Sequence, residues 1–284
     1  MTLPIYQVDA FTNRVFSGNP AAVIPLDSWL DDAILQAIAS ENNLSETSFI
    51  VANDLTYELR WFMPTGEVDL CGHGTLAAAH VLFTHLGFNK TVINFATKSG
   101  VLSVTKSADS YAMVFPAISI YPVDLAKVPE QLGMGLSGDS YTVTDGVDGG
   151  LVINEVLTTT SGSDYIVVLD SADVLAALTP DQSHWGQLKA RRVIVTAKSE
   201  DPNIDVVSRC LYTQLGKAED PVTGSAHCLL TPYWAAQLDK SKLTAVQVSQ
   251  RRGHLQCELL PTEDGAQVRL VGQAVDYMVG QIAV

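Results

Sequence analysis

The sequence predicts an α+β protein made of two halves of similar plan, and two observations carry that expectation. Short apolar runs bounded by Gly, Pro and Asn turns read as strands along most of the chain, interrupted by a few helical stretches. One succession also occurs twice: a glycine turn, a helix of small apolar residues, then a hairpin closed by glycine. Gly74 matches Gly224, Phe83 matches Tyr233 and Gly100 matches Gly253, with 26 residues between the bounding glycines in one half and 29 in the other. Identity between the halves is low, so the duplication rests on pattern alone, and two ordinary helix–hairpin segments remain the alternative. A two-fold repeat is not a solenoid, which needs at least three units. Two such halves facing each other would bring both glycine turns to one cleft.

Ile5 to Phe11 alternates as a strand and Ala21 to Ile24 begins a second. Ser17-Gly18-Asn19-Pro20 is the turn between them, since Gly and Asn tolerate positive φ and Pro fixes its own. Ser28 is placed to cap the first helix with Asp31 in the capping-box position, and Ile34, Leu35 and Ile38 form its apolar stripe up to Glu41-Asn42-Asn43. Thr47 to Val51 and Leu55 to Phe62 read as strands, with Pro64-Thr65-Gly66 as a turn. Cys71-Gly72-His73-Gly74-Thr75 feeds directly into a helix over Leu76 to Phe83, small enough in its side chains to be buried on most sides. Thr91 to Ala96 and Val101 to Thr105 form a hairpin through Lys98-Ser99-Gly100, and Pro116 and Pro122 mark the crossover into the second half.

There, Tyr165 to Leu169 and Arg192 to Thr196 are core strands. Asp220-Pro221-Val222-Thr223-Gly224-Ser225 opens a helix over Ala226 to Trp234. Strands over Leu243 to Val248, Leu255 to Leu260 and Val268 to Leu270 follow, with Arg251-Arg252-Gly253 as a turn. The expected domains are residues 1–117, joined by a returning segment 274–284, and residues 118–273.

Composition narrows the function. The 284 residues are 47% apolar and 17% charged, enough to close a core without disulfides or a structural metal. A net charge of −14 repels polyanions, so nucleic acid is not an expected partner. No apolar run approaches the ~20 residues of a membrane span. The start lacks the basic and apolar regions of a signal peptide, so a cytoplasmic protein without a membrane partner is expected. The four cysteines form no CxxC pair, and neither HExxH nor another local ligand pattern joins His80, His85, His227 and Cys228, so no metal site is expected. GxGxxG, GxxxxGK[ST] and GxSxG are all absent, which leaves nucleotide and acyl-enzyme chemistry without support and no cofactor expected.

Two features point instead to small-anion chemistry. A helix N-terminus offers unpaired N–H groups and partial positive charge, and glycine lets a ligand come close. Gly72-His73-Gly74-Thr75 and Thr223-Gly224-Ser225 both fit, although plain capping turns share that composition. Glu46 sits just after a helix and inside an apolar strand, where a carboxylate is costly unless paired or partly protonated, a setting that suits taking and returning a proton. A solvated edge glutamate is the plainer alternative, and it applies more strongly still to Glu67 and Asp69. His73 lies in a glycine turn, where an imidazole can donate to a substrate or relay a proton. Asp220, ahead of Pro221, is either a turn-initiating acid or the counterpart of His73. Cys71 precedes a helix start, which favours a thiolate.

With these residues assembled, the chain resembles the PhzF-like family of the diaminopimelate epimerase-like fold. The resemblance rests on Asp9-Ala10-Phe11, Gly18-Asn19-Pro20-Ala21-Ala22-Val23, Asn43-Leu44-Ser45-Glu46-Thr47, Asp69-Leu70-Cys71-Gly72-His73-Gly74-Thr75 and Glu219-Asp220-Pro221-Val222-Thr223-Gly224-Ser225-Ala226-His227. It implies two pseudo-symmetric domains, each a curved antiparallel sheet wrapped around a central helix, with the last strand returning to the first half. It implies a homodimer and a cofactor-independent isomerase acting on a small anionic metabolite. Glu46 would be the acid/base, with His73 and Asp220 as polar partners that position or protonate the substrate. Ser45, Gly72, Gly74, Thr75, Gly224 and Ser225 would bind the substrate. Epimerases of this fold use two facing cysteines. Here Cys71 occupies one position but Pro221 the other, so a two-thiol racemase is not expected. An epimerase using Cys71 with another residue, and a non-catalytic metabolite-binding protein, are the alternatives.

Overall fold

The computed structural model describes residues 1–53, 56–137, 151–214, 219–263 and 265–284; Leu55, expected to open a strand, lies outside them. The chain divides into two compact units. One comprises Met1–Phe115, Gly253–Leu255 and Arg269–Val284, and the other Pro116–Arg252 and Gln256–Val268.

The first unit contains β1 (Thr2–Ala10), β2 (Asn19–Leu26), α1 (Asp32–Asn42), β3 (Glu46–Asn53), β4 (Thr56–Met63), β5 (Gly66–Val68), α2 (Gly72–Thr84), β6 (Val92–Thr97), β7 (Gly100–Ser107) and β8 (Ser110–Pro116). Helix α2 is its centre. Every residue from His73 to Leu82 is buried, and the helix packs against β1, β2, β3 and β7. A helix that is apolar all round must be enclosed, and Ala77-Ala78-Ala79 lets the strands come close. The ladder is antiparallel except where a helix crosses over: α1 makes β2 and β3 parallel, and α2 makes β4 and β6 parallel.

Helix α1 departs from its expected start. Its N-cap is Asp31, with no side-chain cap bond, so Ser28 makes no capping box. Trp29 and Leu30 pack against the core formed with Leu35, Ile38 and Phe49, and the Trp29 indole N–H donates to Glu58. That packing delays the helix. Its end is as read: Asn43 adopts φ 48° and donates its N–H to Ala39 C=O at 3.1 Å, turning the chain into Glu46.

The second unit contains β9 (Ile120–Pro122), α3 (Glu130–Ser137), β10 (Ile153–Thr159), β11 (Asp164–Leu169), α4 (Ala172–Ala177), β12 (Arg192–Lys198), β13 (Val206–Tyr212), β14 (Glu219–Asp220), α5 (Gly224–Leu238) and β15 (Lys242–Gln247). Strands β16 (Gly253–Thr262) and β17 (Gly265–Gly272) follow, then β18 (Ala274–Ala283), which pairs antiparallel with β1 from Thr2↔Ala283 to Ala10↔Ala274. Helix α5 is buried along most of its length and contains Pro232. Proline has no N–H for the Cys228 carbonyl one turn back, and that carbonyl accepts from Ile118 N–H at 3.0 Å instead. Among the described residues, no helix is long and apolar enough to cross a membrane.

The turn between β1 and β2 is held by a buried acid. Asp9 Oδ2 accepts from Phe16 N–H at 2.9 Å, and Gly18 stands at φ +66° with its Cα hydrogen facing the Ala10 carbonyl, where a Cβ would lie 2.2 Å from that oxygen. Gly18→Ala is therefore expected to destabilise the protein by about 2 kcal/mol, the usual range for an imposed left-handed residue with a backbone clash. Urea unfolding checks this, and an unchanged midpoint would show the turn to be adaptable.

Candidate active site

The polar residues of the first unit converge at the start of α2. Glu46 opens β3, beside Ala21 in the parallel β2 ladder, and Asn19 lies two residues upstream on β2. Cys71 is the N-cap of α2 and His73 stands in its first turn. His73 Nε2 lies 2.9 Å from Glu46 Oε2, and His73 Nδ1 lies 3.2 Å from the Asn19 side-chain nitrogen. Cys71 Sγ is 3.6 Å from His73 Nδ1 and accepts the Gly74 N–H at 3.3 Å. The imidazole is thus gripped on three sides in a site the solvent barely reaches.

The Glu46 contact is an ion-pair approach, not a well-directed hydrogen bond, and Oε2 is buried without a hydrogen-bond donor. A buried carboxylate oxygen with spare acceptor capacity is uncommon in a finished core and common where a proton is handled. Burial opposes charging of the His73 ring, but the Cys71 sulfur and Glu46 carboxylate override it and raise its pKa well above the ordinary imidazole value. Burial, reinforced by Glu46, in turn pushes the Cys71 thiol up. Asn19 suits either form of the ring: its amide N–H₂ serves a neutral Nδ1, and its carbonyl oxygen, after a half-turn, serves an imidazolium.

The glycine turn divides its donors. Gly74 N–H goes to Cys71 Sγ, and Thr75 gives both its N–H (3.1 Å) and its hydroxyl (2.6 Å) to the Cys71 carbonyl. Gly74 has no room for a side chain, since a Cβ would meet Ser48 Oγ and Trp61 Cδ1 at 2.8 Å. Of the four residues read as a cradle, Gly74 and Thr75 thus commit these groups to closing the turn, and Gly72 and His73 supply its outermost amides. Ser45, half-buried, precedes Glu46 at the end of the αL turn. Glu67 is explained by structure: Arg60 binds it at 2.7 and 2.9 Å, Lys98 joins them, and its pKa falls to about 2.

Asp220, Gly224 and Ser225 belong to the second unit. Asp220 Oδ2 accepts from the Thr223 hydroxyl at 2.7 Å, and Gln247 braces the same turn, accepting from Thr223 N–H at 2.9 Å and donating to the Asp220 carbonyl at 2.6 Å. Ser225 Oγ accepts from Arg192 at 2.9 Å, and Arg192, almost fully buried, is neutralised by Asp164 at 2.7 and 3.2 Å. His227 is structural here: burial lowers its pKa to about 4, and its Nδ1–H donates to the Thr223 carbonyl at 2.8 Å. Sequence reasoning missed Asn19, Arg192, Asp164 and Gln247. Asn19 was accounted for by its turn and Arg192 by its strand, while Gln247 and Asp164 carry no local signal.

The chain is similar to known proteins along nearly its whole length. The family model described as PhzC-PhzF, phenazine biosynthesis-like protein, matches residues 8–280. A Pseudomonas aeruginosa protein named an uncharacterized isomerase is 48% identical over 282 residues, covering 99% of each chain. A crystal structure of a PhzF-family phenazine biosynthesis protein from Enterococcus faecalis is 39% identical, with a TM-score of 0.88 and full coverage of both chains. A further Pseudomonas aeruginosa structure, described as a predicted epimerase, has a TM-score of 0.71 at 21% identity over 99% of each chain, which shows a shared fold.

The raised pKa of His73 has a measurable sign. Its charged ring contributes stability in full below the unfolded imidazole value of about 6.5, and that contribution is lost as pH rises through the higher folded value. The stability advantage of the wild type over His73→Asn is expected to shrink as pH rises. Urea unfolding at stepped pH measures it, and a difference flat with pH would refute the assignment.

Proposed function

The chain belongs to the phenazine biosynthesis-like protein family, and on that premise we propose that it is an isomerase that moves a proton between carbons of a small carboxylate-bearing metabolite. Glu46 is the acid/base. The observation that carries this reading is Glu46 Oε2, a buried oxygen without a donor, 2.9 Å from an imidazole that the carboxylate helps to charge.

The step follows from that geometry. The ionised Glu46 carboxylate takes a proton from a substrate carbon, becomes the neutral acid, and returns the proton at another carbon. Charge left on the substrate as an enolate or dienolate is stabilised by the outer amides of α2, at Gly72 and His73, where the helix dipole is positive. His73 holds the carboxylate in place and Asn19 holds His73, so both act through position as well as charge. Routed through Glu46, the transfer asks for no cofactor. As the family resemblance implies, the proposed role of Asp220 is to position or protonate the substrate, and that of Gly224 and Ser225 is to bind its carboxylate. A thiol base fits less well: burial holds Cys71 protonated and Gly74 N–H occupies its sulfur.

Glu46→Gln keeps the shape and removes the base, so turnover should fall by ~10²–10⁴, the usual worth of a positioned general base, with ligand binding largely retained. Cys71→Ser should keep most of the turnover. Proton exchange followed in D₂O over a panel of small carboxylates reads both. Full activity in Glu46→Gln, or its loss in Cys71→Ser with Glu46 intact, would overturn the assignment of the base.

A further inference from the structure

A second polar cluster lies at the other end of α2. His80 and His73 are seven residues apart on one helix, which at 1.5 Å per residue is roughly 10 Å. His80 Nε2 is 3.2 Å from Asp276 Oδ1, and His85 Nε2 is 2.9 Å from Asp276 Oδ2. One ligand-capable atom from each of the three residues lies within 4.8 Å of the others. From these atoms we propose that His80, His85 and Asp276 form a binding site for a divalent transition-metal ion of the Zn²⁺ kind, tying the last strand to α2.

Four features support it. Zinc holds nitrogen and carboxylate ligands at about 2.0–2.2 Å, so ligands around a tetrahedral ion stand roughly 3.4 Å apart, and the two His–Asp separations need only a small outward movement. Two imidazoles select zinc-like ions over Mg²⁺ or Ca²⁺, which prefer all-oxygen shells. His80 Nδ1 lies 2.9 Å from the Tyr111 hydroxyl, the outer partner a metal-bound imidazole requires. That hydroxyl can donate to Nδ1 or accept from Nδ1–H, so the ring proton can move from Nε2 to Nδ1 when the metal arrives. Finally, His85 is the C-cap of α2, where the partial negative charge of a helix end favours a cation.

Rigidity and access also fit. His85 stacks on Tyr6 with ring centroids 4.8 Å apart. The side chains of His80, His85 and Asp276 are 9%, 24% and 30% exposed, so the site is sheltered on one side and open to water on the other for a fourth ligand. The Lys106 ammonium, which opposes charging of the His80 ring, sits 5.2 Å from the Phe83 ring centre.

The experiment is Zn²⁺ titration of the chelator-stripped full chain by calorimetry, with thermal unfolding at saturating Zn²⁺. Wild type should bind one Zn²⁺ per chain saturably and melt higher with it. Asp276→Asn and His85→Gln should each weaken binding at least tenfold and lose the Zn²⁺-dependent rise in Tm, while their metal-free melting shows that they fold. Tyr111→Phe should weaken binding and Cys71→Ser should leave it unchanged. No saturable binding by the wild type, binding unaltered in both Asp276→Asn and His85→Gln, or binding lost in Cys71→Ser (which would move the ion to the Glu46–Cys71–His73 group) would each overturn the proposal. These measurements use no turnover, so they stand or fall apart from the role of Glu46.

Discussion

The burial of α2 is the constraint on which the first unit depends. A helix enclosed from His73 to Leu82 has no solvent to satisfy its polar groups, so each must find a partner inside. The interior of the helix meets this with small apolar residues. Its two ends meet it with polar clusters: Glu46, Asn19 and Cys71 around His73, and Asp276 and Tyr111 around His80. The same enclosure that makes the core cohesive lowers the local dielectric around those clusters, which strengthens every charge interaction in them. The strong charge interactions at the first turn are in this sense a by-product of packing the rest of the helix.

The second glycine turn answers the same constraint by other means. Around α2 the polar load is carried by an imidazole and a carboxylate with spare capacity. Around α5 it is carried by a closed set: Asp220 with Thr223, Gln247 with both, and Arg192 saturated by Asp164 and Ser225. Similar backbone motifs therefore carry different charge. One turn is organised around an imidazole and a carboxylate, the other around a closed hydrogen-bonded set.

Elements built on strong local periodicity were legible before the fold was known. α2, its glycine turn and the flanking hairpin follow from small-residue helix composition and turn chemistry, and Glu46 and His73 stood out as a carboxylate at the head of a strand and an imidazole within a glycine turn. What escaped reading shares one physical cause, the loss of local contrast. β13 reads Val-Val-Ser-Arg-Cys-Leu-Tyr and is buried on both faces, so no period of two separates core from solvent. β14 is two residues long, too short for any pattern. The start of α1 was misread because Trp29 prefers a core pocket and Glu58 to a helical turn, a preference set by residues far along the chain. The His80–Asp276 pairing joins residues 196 apart, and nothing local announces it.

The pairing of β18 with β1 has a consequence for how the molecule is made. The first unit draws on Gly253–Leu255 and Arg269–Val284, so β1 cannot complete its pairing until β18, far along the chain, has been synthesised. The second unit, whose residues end at Val268, is available sooner. Until β18 emerges, β1 carries an unsatisfied edge that is open to misassociation.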